Sequence, residues 1–386
     1  MDSRLNVISI ARHLVLIGAT LTSSAWAQTL TEPIHGIVDG EHQLAWYDLT
    51  LLNIEGQGWR ETKLPFDRLP AKAEAIVRPE VWRLSRQSSG ICVRFFTAAT
   101  TIHARWTLTL DTLSEPAMPA TAVSGLDLYV KHNDRWRWFA VGKPERQTNE
   151  VKLVNNISAD EREYLLYLPL YNVPSTIELG LPIGSRMLKA APAHARVKPV
   201  VFYGTSITQG GCASRPGMVY TAILGRRLDR PVINLGFRAN GTLDLEMVPL
   251  FAELDPAVYV LDCLPNMTGP DVSARTEPFI KALRAARPET PIVLAEDRSY
   301  PDGILYPARR ERNQLNRAAL KAAFDRLEQA GIKHLSYLEG EDLLGDDGDA
   351  TVDASHPTDL GHHRLADKFE KVLRPLLTIE TPSKPQ

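Results

Sequence analysis

The sequence predicts an α/β protein with two parts: an antiparallel β-sandwich, followed by a three-layer α/β/α domain built on a parallel sheet. Short β-rich segments separated by turn residues fill the first half. In the second half, apolar strand-like runs alternate with longer amphipathic segments. The chain has 386 residues, 44% of them hydrophobic and 23% charged, so both parts can form hydrophobic cores.

The first residues have the three-part layout of a secretory signal peptide. Arg4 and Arg12 precede an apolar run at 14–21, and small residues follow up to Ala27. We therefore expect residues 1–27 to be a signal peptide cleaved near Ala27, and the mature protein to be exported, either to the periplasm or as a secreted protein. The apolar run is too short to cross about 30 Å of hydrocarbon, so stable membrane insertion is not expected.

Residues 28–192 show strand signals and little helical periodicity. Residues 104–110 alternate between apolar and polar side chains, as in a half-buried strand. Short strands separated by turns are typical of an antiparallel β-sandwich. The clearest predicted strands are 91–97, 104–110, 126–131 and 164–168.

The stretch 190–199 is rich in Ala and Pro and lacks strong periodicity, so the domain boundary is placed at 192/193. Beyond it, continuous apolar strands alternate with helical segments, the pattern of a parallel sheet covered on both faces. We expect this domain to span 193–378 and residues 379–386 to form a flexible tail. The predicted strands are 200–203, 232–235, 257–261, 292–295 and 335–338.

Charge and cysteine content limit the partners and cross-links. The formal net charge is −2 and the two signs are interspersed, so the basic stripe of a nucleic-acid-binding protein is missing and no nucleic-acid partner is expected. Of the three cysteines, Cys212 and Cys263 lie close in sequence to the motifs described below. They form either a disulfide or two buried free thiols. The oligomeric state is left open by the sequence.

The first motif is a serine at the end of a predicted buried strand. The strand at 200–203 leads directly into Gly204, Thr205 and Ser206. A serine there lies at the carboxyl edge of the sheet, where ligand sites form and a following helix start stabilises negative charge. Ser206 is therefore a candidate nucleophile. The alternative is that it only caps the next helix.

The second motif is an acid–base pair near the end of the domain. Asp353 and His356 are three positions apart, just before the last amphipathic segment. In one turn, the carboxylate can hold the imidazole Nδ1–H while Nε2 faces outward, and such a pair activates a serine. The alternative is a capped helix start with an incidental surface histidine.

Two further polar segments, 234–241 and 262–266, also follow predicted strands. Because the carboxyl ends of parallel strands meet at one edge, both segments should project toward the same edge as Ser206. Four polar loops at one edge indicate a functional site.

These four segments resemble the ordered sequence blocks of the SGNH (GDSL-like) hydrolases. The matching features are Gly-Thr-Ser at 204–206, the Asn-containing turn at 234–241, Asn266, and Asp-x-x-His at 353–356. The resemblance covers roughly residues 200–377. In the first half, Gly-Leu-Asp-Leu-Tyr at 125–129 resembles the Gly-x-Asp-Leu-Tyr signature of β-domains that precede one branch of these hydrolases.

The resemblance implies that Ser206 is the nucleophile, that His356 is the general base and then the general acid, and that Asp353 orients His356. It also implies an oxyanion hole made of the Ser206 backbone N–H, a backbone N–H of the second block and the Asn266 side-chain amide. Two departures from the family pattern stand out. Ala239 occupies the usual glycine position of the second block, with Gly241 as the alternative donor, and the third block keeps only Asn266.

The reaction implied by the resemblance is two-step acyl transfer without a metal or an organic cofactor. His362 and His363 do not suggest a metal site, because adjacent histidines on a helix point in different directions. Export, an accessory β-domain and the resemblance to hydrolases that remove acetyl groups from sugars together favour acetyl or other short-chain acyl esters of carbohydrate, so the expected partner is a small-molecule or oligosaccharide ester. The alternatives are a broad carboxylesterase or arylesterase, an acyltransferase, and a non-catalytic carbohydrate-binding envelope protein. Trp136 and Trp138 either stack on sugar rings or pack within the β-domain.

Overall fold

The computed structural model of the protein describes residues 32–191 and 197–378. The predicted signal peptide at 1–27, the predicted domain boundary and the predicted tail at 379–386 lie outside the described residues.

The described ranges contain seventeen strands and eight α-helices. The strands are β1 Glu32–Ile34, β2 Ile37–Asp39, β3 Leu44–Asp48, β4 Ile54–Glu55, β5 Cys92–Thr97, β6 Ile102–Leu108, β7 Leu126–His132, β8 Arg135–Gly142, β9 Thr148–Val154, β10 Arg162–Tyr167, β11 Pro174–Pro182, β12 Met187–Lys189, β13 Val200–Gly204, β14 Val232–Gly236, β15 Val258–Asp262, β16 Ile292–Ala295 and β17 Leu335–Leu338. The helices are α1 Pro79–Ser85, α2 Ala120–Val123, α3 Ser206–Gln209, α4 Tyr220–Leu228, α5 Val248–Ala252, α6 Gly269–Ala286, α7 Pro307–Gln329 and α8 Asp359–Leu377.

The first half is a sandwich of two antiparallel sheets, as predicted. One sheet has the order β1-β12-β5-β10-β7-β8 with β4 paired to β5, and the other has the order β2-β3-β11-β6-β9. Strand β6 shows why the alternation was informative. Its residues 102, 104, 106 and 108 are buried between the sheets, whereas the residues between them are only partly buried.

The second half is a three-layer α/β/α domain, which confirms the predicted fold class. Its parallel sheet has the order β14-β13-β15-β16-β17. Successive residues of β13 point to opposite faces, so Val200 and Phe202 pack with α4 and α8. Val201 and Tyr203 pack with α5 and α6 on the other face. All five predicted strands of this half are present within one residue at their ends.

The two halves share an extensive apolar junction. Residues 69–84 of the first half, which include α1, belong to neither sheet of the sandwich. Their buried side chains, among them Leu69, Val81 and Leu84, join the core on the α5–α6 side of the parallel sheet. The sequence predicted little helix in the first half, and this short helix depends on packing against the second half rather than on its own length.

The Gly-x-Asp-Leu-Tyr motif lies at this junction. Asp127 is fully buried and accepts hydrogen bonds from Arg215 at 2.9 Å and from the Trp138 indole at 3.0 Å. Arg215 also donates to the hydroxyl of Tyr129 at 2.6 Å. Because Arg215 belongs to the second half, the motif ties the two halves together through a buried ion pair.

The two tryptophans of β8 make packing contacts. Trp136 packs against the apolar junction, and the guanidinium of Arg94 lies 5.4 Å from its ring centroid. Trp138 is 49% exposed, but its indole N–H is held by Asp127 and the guanidinium of Arg215 lies 5.1 Å from its ring. Both rings therefore make packing contacts, and stacking on sugar rings stays a prediction.

Cys92, Cys212 and Cys263 are free and buried. The Cys263 thiol donates to the carbonyl of Tyr203 at 3.5 Å. Of the two alternatives for Cys212 and Cys263, free thiols are confirmed and the disulfide is wrong.

Across 32–191 and 197–378, no helix combines the length and apolar character that a membrane-spanning segment requires.

Candidate active site

Ser206 is the first residue of α3, directly after β13 and a single linking residue. That residue, Thr205, caps the helix: its hydroxyl accepts from the backbone N–H of Ile207 at 3.2 Å. The alternative that Ser206 is the cap is therefore wrong, and its side chain is available for chemistry. Gly204 allows the tight strand-to-helix turn, because a Cβ there would lie 2.1 Å from the Thr208 hydroxyl.

Ser206, His356 and Asp353 form one continuous hydrogen-bonded chain. Ser206 Oγ lies 2.7 Å from His356 Nε2, and His356 Nδ1 lies 2.8 Å from Asp353 Oδ2. Burial raises the pKa of Asp353, but hydrogen bonds from the His356 backbone and imidazole outweigh it, so the pKa of Asp353 is lowered. An ionised Asp353 only accepts, so Nδ1 carries the proton and Nε2 accepts from the serine hydroxyl.

A tight turn builds the acid–base pair. The second carboxylate oxygen of Asp353 accepts from the backbone N–H groups of Ser355 at 3.0 Å and His356 at 2.7 Å. Ala354, between Asp353 and Ser355, has φ +66°, a left-handed conformation that costs a non-glycine residue about 1–2 kcal/mol. The predicted one-turn geometry is thus present, held by three hydrogen bonds to one carboxylate.

Gly211 and His362 support His356 from below: Gly211 packs against its ring, and His362 lies behind Gly211. A Cβ on Gly211 would lie 2.8 Å from His356 Cδ2, so only glycine fits. His362 is fully buried: its Nδ1 accepts from the Tyr220 backbone N–H at 3.3 Å and its Nε2 lies 3.2 Å from the carbonyl of Gly211. Burial lowers the pKa of His362 to about 4, so the ring is neutral and donates from Nε2.

The second block forms a tight loop after β14, residues 236–241, which we call the oxyanion loop. Ala239 has φ +56°, the left-handed conformation that glycine usually supplies. The N–H of Gly241 donates to the carbonyl of Phe237 at 3.0 Å, and a Cβ on Gly241 would lie 1.8 Å from the carbonyl oxygen of Gly204. Gly241 is therefore required by close packing. Among the described residues, no hydrogen bond engages the N–H of Ala239.

Asn266 lies beside this loop, at the end of a short 3-10 turn after β15. Its side-chain amide faces the carbonyls of Phe237 and Gly241, both at 3.3 Å. The structure therefore brings the second and third blocks together, as expected from their positions after neighbouring strands.

Asp262, the other polar residue of the third block, has a different environment. It is fully buried, and it accepts from Arg298 at 2.7 Å, Tyr220 at 2.9 Å and Thr208 at 3.2 Å. Arg298 is also fully buried. This cluster lies beneath α3 and supports the helix that carries Ser206.

Several residues around the site were not predicted from sequence. The hydroxyl of Tyr171, from the first half, donates to the Ser206 carbonyl at 3.2 Å. Arg238 of the oxyanion loop pairs with Glu115 of the first half at 3.0 Å. Tyr171 and Glu115 lie in loops without a recognisable sequence motif, and only the packing of the two halves brings them to Ser206 and Arg238 respectively.

Cys212 adjoins the acid–base pair. Its sulfur, a carboxylate oxygen of Asp353 and a ring nitrogen of His356 lie within 4.8 Å of one another, a spacing that could also hold a metal ion. Burial, together with the Asp353 charge, raises the pKa of the Cys212 thiol to about 11. Two of these three groups are already bonded to each other as the acid–base pair. His362 and His363 do point in different directions, as predicted: His363 Nδ1 lies 3.2 Å from Arg227.

Comparisons with known proteins identify the family. Residues 197–374 match the model of the GDSL-like Lipase/Acylhydrolase family. Residues 44–187 match the model described as the N-terminus of Esterase_SGNH_hydro-type. A search of the curated proteins found no match.

Three solved structures show how far the similarity extends. A GDSL-like lipase from Bacteroides ovatus ATCC 8483 is 31% identical, with 88% of this chain and 100% of that chain covered and a TM-score of 0.83. The salicylyl-acyltransferase SsfX3 from a tetracycline biosynthetic pathway is 18% identical, with 90% and 99% covered and a TM-score of 0.68. An acetyl xylan esterase from the rumen bacterium Butyrivibrio proteoclasticus is 12% identical, with 86% and 99% covered and a TM-score of 0.53. The last two likenesses show the shared fold alone. The chain belongs to the GDSL-like lipase/acylhydrolase family, in the branch that carries the SGNH-esterase-type N-terminal domain.

Proposed function

We propose that the protein is an exported serine esterase that hydrolyses acetyl or other short-chain acyl esters of carbohydrate, with Ser206, His356 and Asp353 as its catalytic triad. The observation that carries the proposal is the continuous hydrogen-bonded chain, 2.7 Å from Ser206 Oγ to His356 Nε2 and 2.8 Å from Nδ1 to Asp353. This is the arrangement in which a histidine removes the proton from an attacking serine.

In the first step, Ser206 Oγ forms a bond to the ester carbonyl carbon while its proton moves to His356 Nε2. The carbonyl electron pair moves onto oxygen, and the resulting oxyanion accepts from the N–H groups of Ser206 and Ala239 and from the Asn266 amide, which exchanges one of its two 3.3 Å bonds to the loop carbonyls for this contact. When this intermediate collapses, the ester C–O bond breaks and His356 returns the proton to the leaving alcohol. Water, deprotonated by the same histidine, then releases the acid from Ser206.

Family membership and the charged side chains at the border of the site support a small, polar ester substrate. The Arg238–Glu115 pair borders the site with charged groups that are 50% and 30% exposed. The fold shared with an acetyl xylan esterase is consistent with an acetylated carbohydrate. Export is proposed from the sequence of residues 1–27 alone.

A second candidate is an acyltransferase with the same triad. The fold shared with a salicylyl-acyltransferase, covering 90% of this chain, favours its inclusion. The two activities differ only in whether water or a second hydroxyl group attacks the acyl-enzyme. A broad carboxylesterase or arylesterase would use the same steps on a less polar alcohol.

The test is acetate release from a panel of acetylated sugars and aryl acetates, by the mature protein and by Ser206→Ala and His356→Ala. We expect native activity and a loss of about 10³- to 10⁶-fold in each variant. The ratio of sugar to aryl rates separates a carbohydrate esterase from a broad one. Product formed on an added sugar hydroxyl, at the expense of free acetate, would indicate the transferase. Equal inactivity of all three folded proteins on every ester would contradict the esterase and favour the non-catalytic binding protein.

A further inference from the structure

We propose that Gln87 and Arg68, both in the first domain, are positioning residues that hold the oxyanion loop in its donating conformation. The inference rests on the function proposed above, because it concerns the Ala239 N–H. The two side chains reach the loop from a part of the chain more than 100 residues earlier, and they act by different contacts.

Gln87 begins a relay of side-chain amides. Its Nε2 donates to the carbonyl of Tyr171 at 2.8 Å, and its Oε1 accepts from Gln209 Nε2 at 2.5 Å. Gln209 Oε1 in turn accepts from the backbone N–H of Arg238 at 3.0 Å. The relay thus runs from the first domain through α3 to the residue immediately before Ala239.

The relay has only one orientation. A carbonyl such as that of Tyr171 can only accept, so Gln87 must present its amide nitrogen there and its oxygen to Gln209. Gln209 must then present its nitrogen to Gln87 and its oxygen to Arg238. Gln87 is 7% exposed and Gln209 is fully buried, so a reversed amide would leave buried polar atoms without partners.

This orientation determines the peptide plane between Phe237 and Arg238 in the loop. With the Arg238 N–H held by Gln209, the peptide between Phe237 and Arg238 is fixed. The next peptide then carries the Ala239 N–H, which makes no hydrogen bond among the described residues. Its φ of +56° is unfavourable for alanine, so the surrounding contacts must hold it there.

Arg68 fixes the other side of the same loop. It is 1% exposed, and its guanidinium donates to the carbonyls of Gly236 at 2.6 Å and Asn234 at 3.2 Å, at the end of β14. It also donates to the carbonyl of Gln87 at 2.8 Å and lies 4.9 Å from the ring of Phe237. Burial lowers the pKa of Arg68 to about 9.

These contacts converge on one residue. Arg68 donates to the carbonyl of Gly236, just before Phe237, and the relay accepts from the N–H of Arg238, just after it. The carbonyl of Phe237 itself accepts from Asn266 at 3.3 Å. Side chains of the first domain therefore help to position two of the three proposed oxyanion donors, the Ala239 N–H and the Asn266 amide.

The experiment compares Gln87→Met with Gln57→Met. Methionine has a similar length but cannot orient Gln209. Gln57 is a matched control in the same domain: its amide donates to the carbonyls of Pro65 and Asp67, at 2.9 and 2.8 Å, and within 32–191 and 197–378 it makes no hydrogen bond to the oxyanion loop. We expect kcat for acetyl ester hydrolysis to fall about 10-fold in Gln87→Met with KM within about threefold, because the lost donor acts in the transition state. Gln57→Met should lose stability without this loss of kcat.

Gln87→Glu provides a readout that a purely structural role would not change. A protonated glutamic acid donates to the Tyr171 carbonyl and accepts from Gln209, as glutamine does, whereas the carboxylate is repelled by that carbonyl. The ratio of its kcat to that of the native enzyme should therefore rise as the pH is lowered. Because the triad titrates in both enzymes, dividing the kcat of the variant by that of the native enzyme at each pH removes the contribution of the triad to the pH dependence.

Amide hydrogen exchange at residues 236–241 tests the positioning role without any substrate. We expect faster exchange at Arg238 in Gln87→Met than in Gln57→Met. If the native protein hydrolyses no ester but Arg238 exchange still rises, the function fails and the loop-holding role stands. If native activity is present and Gln87→Met changes neither kcat nor Arg238 exchange beyond the control, the positioning role is wrong.

Discussion

Two polar clusters lie at the carboxyl edge of the same parallel sheet, and they differ in solvent access. In the triad, the side chains of His356 and Asp353 are 29% and 44% exposed. In the cluster beneath α3, Asp262 and Arg298 are both 0% exposed. Both clusters follow strands, as ligand-binding loops do. The comparison teaches that position after a strand selects candidates, whereas solvent access distinguishes the His356–Asp353 pair from the Asp262–Arg298 pair; Ser206 itself is 8% exposed.

The largest expected effect is on activity, from Asp353→Asn. The asparagine oxygen can still accept from the Ser355 and His356 backbone, so its nitrogen must face His356 Nδ1. His356 would then carry its proton on Nε2 and could not accept one from Ser206. We expect kcat to fall about 10⁴-fold with little change in the free energy of unfolding.

Asp346→Asn is the control for Asp353→Asn, because it removes the same charge from the same loop region and leaves the triad intact. Kinetics and urea unfolding on both variants make the comparison. A loss of less than tenfold in Asp353→Asn would show that Asp353 does not orient the histidine.

The opposite result is expected in the buried cluster. Asp262→Ala leaves the fully buried Arg298 without its carboxylate partner, and breaking such a pair costs about 3–5 kcal/mol. The control is Asp255→Ala, because the exposed Asp255–Lys198 pair, 3.0 Å apart, should contribute less than about 1 kcal/mol. Urea unfolding measures both. Equal losses of unfolding free energy in the two variants would show that the buried Asp262–Arg298 pair contributes no more to stability than an exposed pair.

His362 should make stability depend on pH. Its pKa is lowered from 6.5 to about 4 by burial, so between these values the unfolded state binds more protons than the folded state. Stability should therefore fall as the pH drops from 6.5 to 4, by an amount on the order of 3 kcal/mol from this residue. His362→Gln, which keeps a donor and an acceptor but does not titrate, should lose less over the same range.

The matched control for His362→Gln is His363→Gln, since His363 is exposed; partial burial and Arg227 also lower the pKa of its ring, but not to the extent seen at His362. Denaturant unfolding at pH 7, 5.5 and 4 gives the slope of the free energy of unfolding against pH for the native protein and for each of the two variants. A His362→Gln slope equal to that of the native protein would show that another group causes the acid sensitivity.

The smallest expected effect concerns Ala239 in the oxyanion loop. Ala239→Gly relieves the cost of alanine at φ +56° and should stabilise the protein by about 0.5–1 kcal/mol. Because the donor is a backbone N–H, kcat should stay within about threefold. Ala318→Gly, at an exposed position within α7, should destabilise by about 1 kcal/mol instead. Melting temperatures check the opposite signs, and destabilisation by both changes would contradict the backbone argument.

Local patterns were sufficient to predict the fold class. The period-2 alternation of β6 and the continuous apolar runs of β13 to β17 are local properties, because each strand must match the one or two faces that it buries. The short helix α1 was not predicted, since it is stabilised by the core of the other half.

The candidate site was predicted in part. Ser206, Asp353, His356 and Asn266 were recognised because each belongs to a short motif with its own spacing. The structure brings the first three into contact and places Asn266 beside the oxyanion loop. No local pattern indicated that Asp262, the last residue of the same strand, is buried in an ion pair with Arg298.

The sequence by itself therefore determined the order of the elements, the two-part architecture and the residues that we propose as the triad, because these depend on periodicity and on motifs a few residues long. Only the tertiary structure decided which polar residues are buried and which first-domain side chains support the site. Gln87 and Gln209, for example, are 122 residues apart in the chain and 2.5 Å apart at their amides. Contacts of this kind arise when two surfaces pack, and a local pattern carries no information about the surface on the other side.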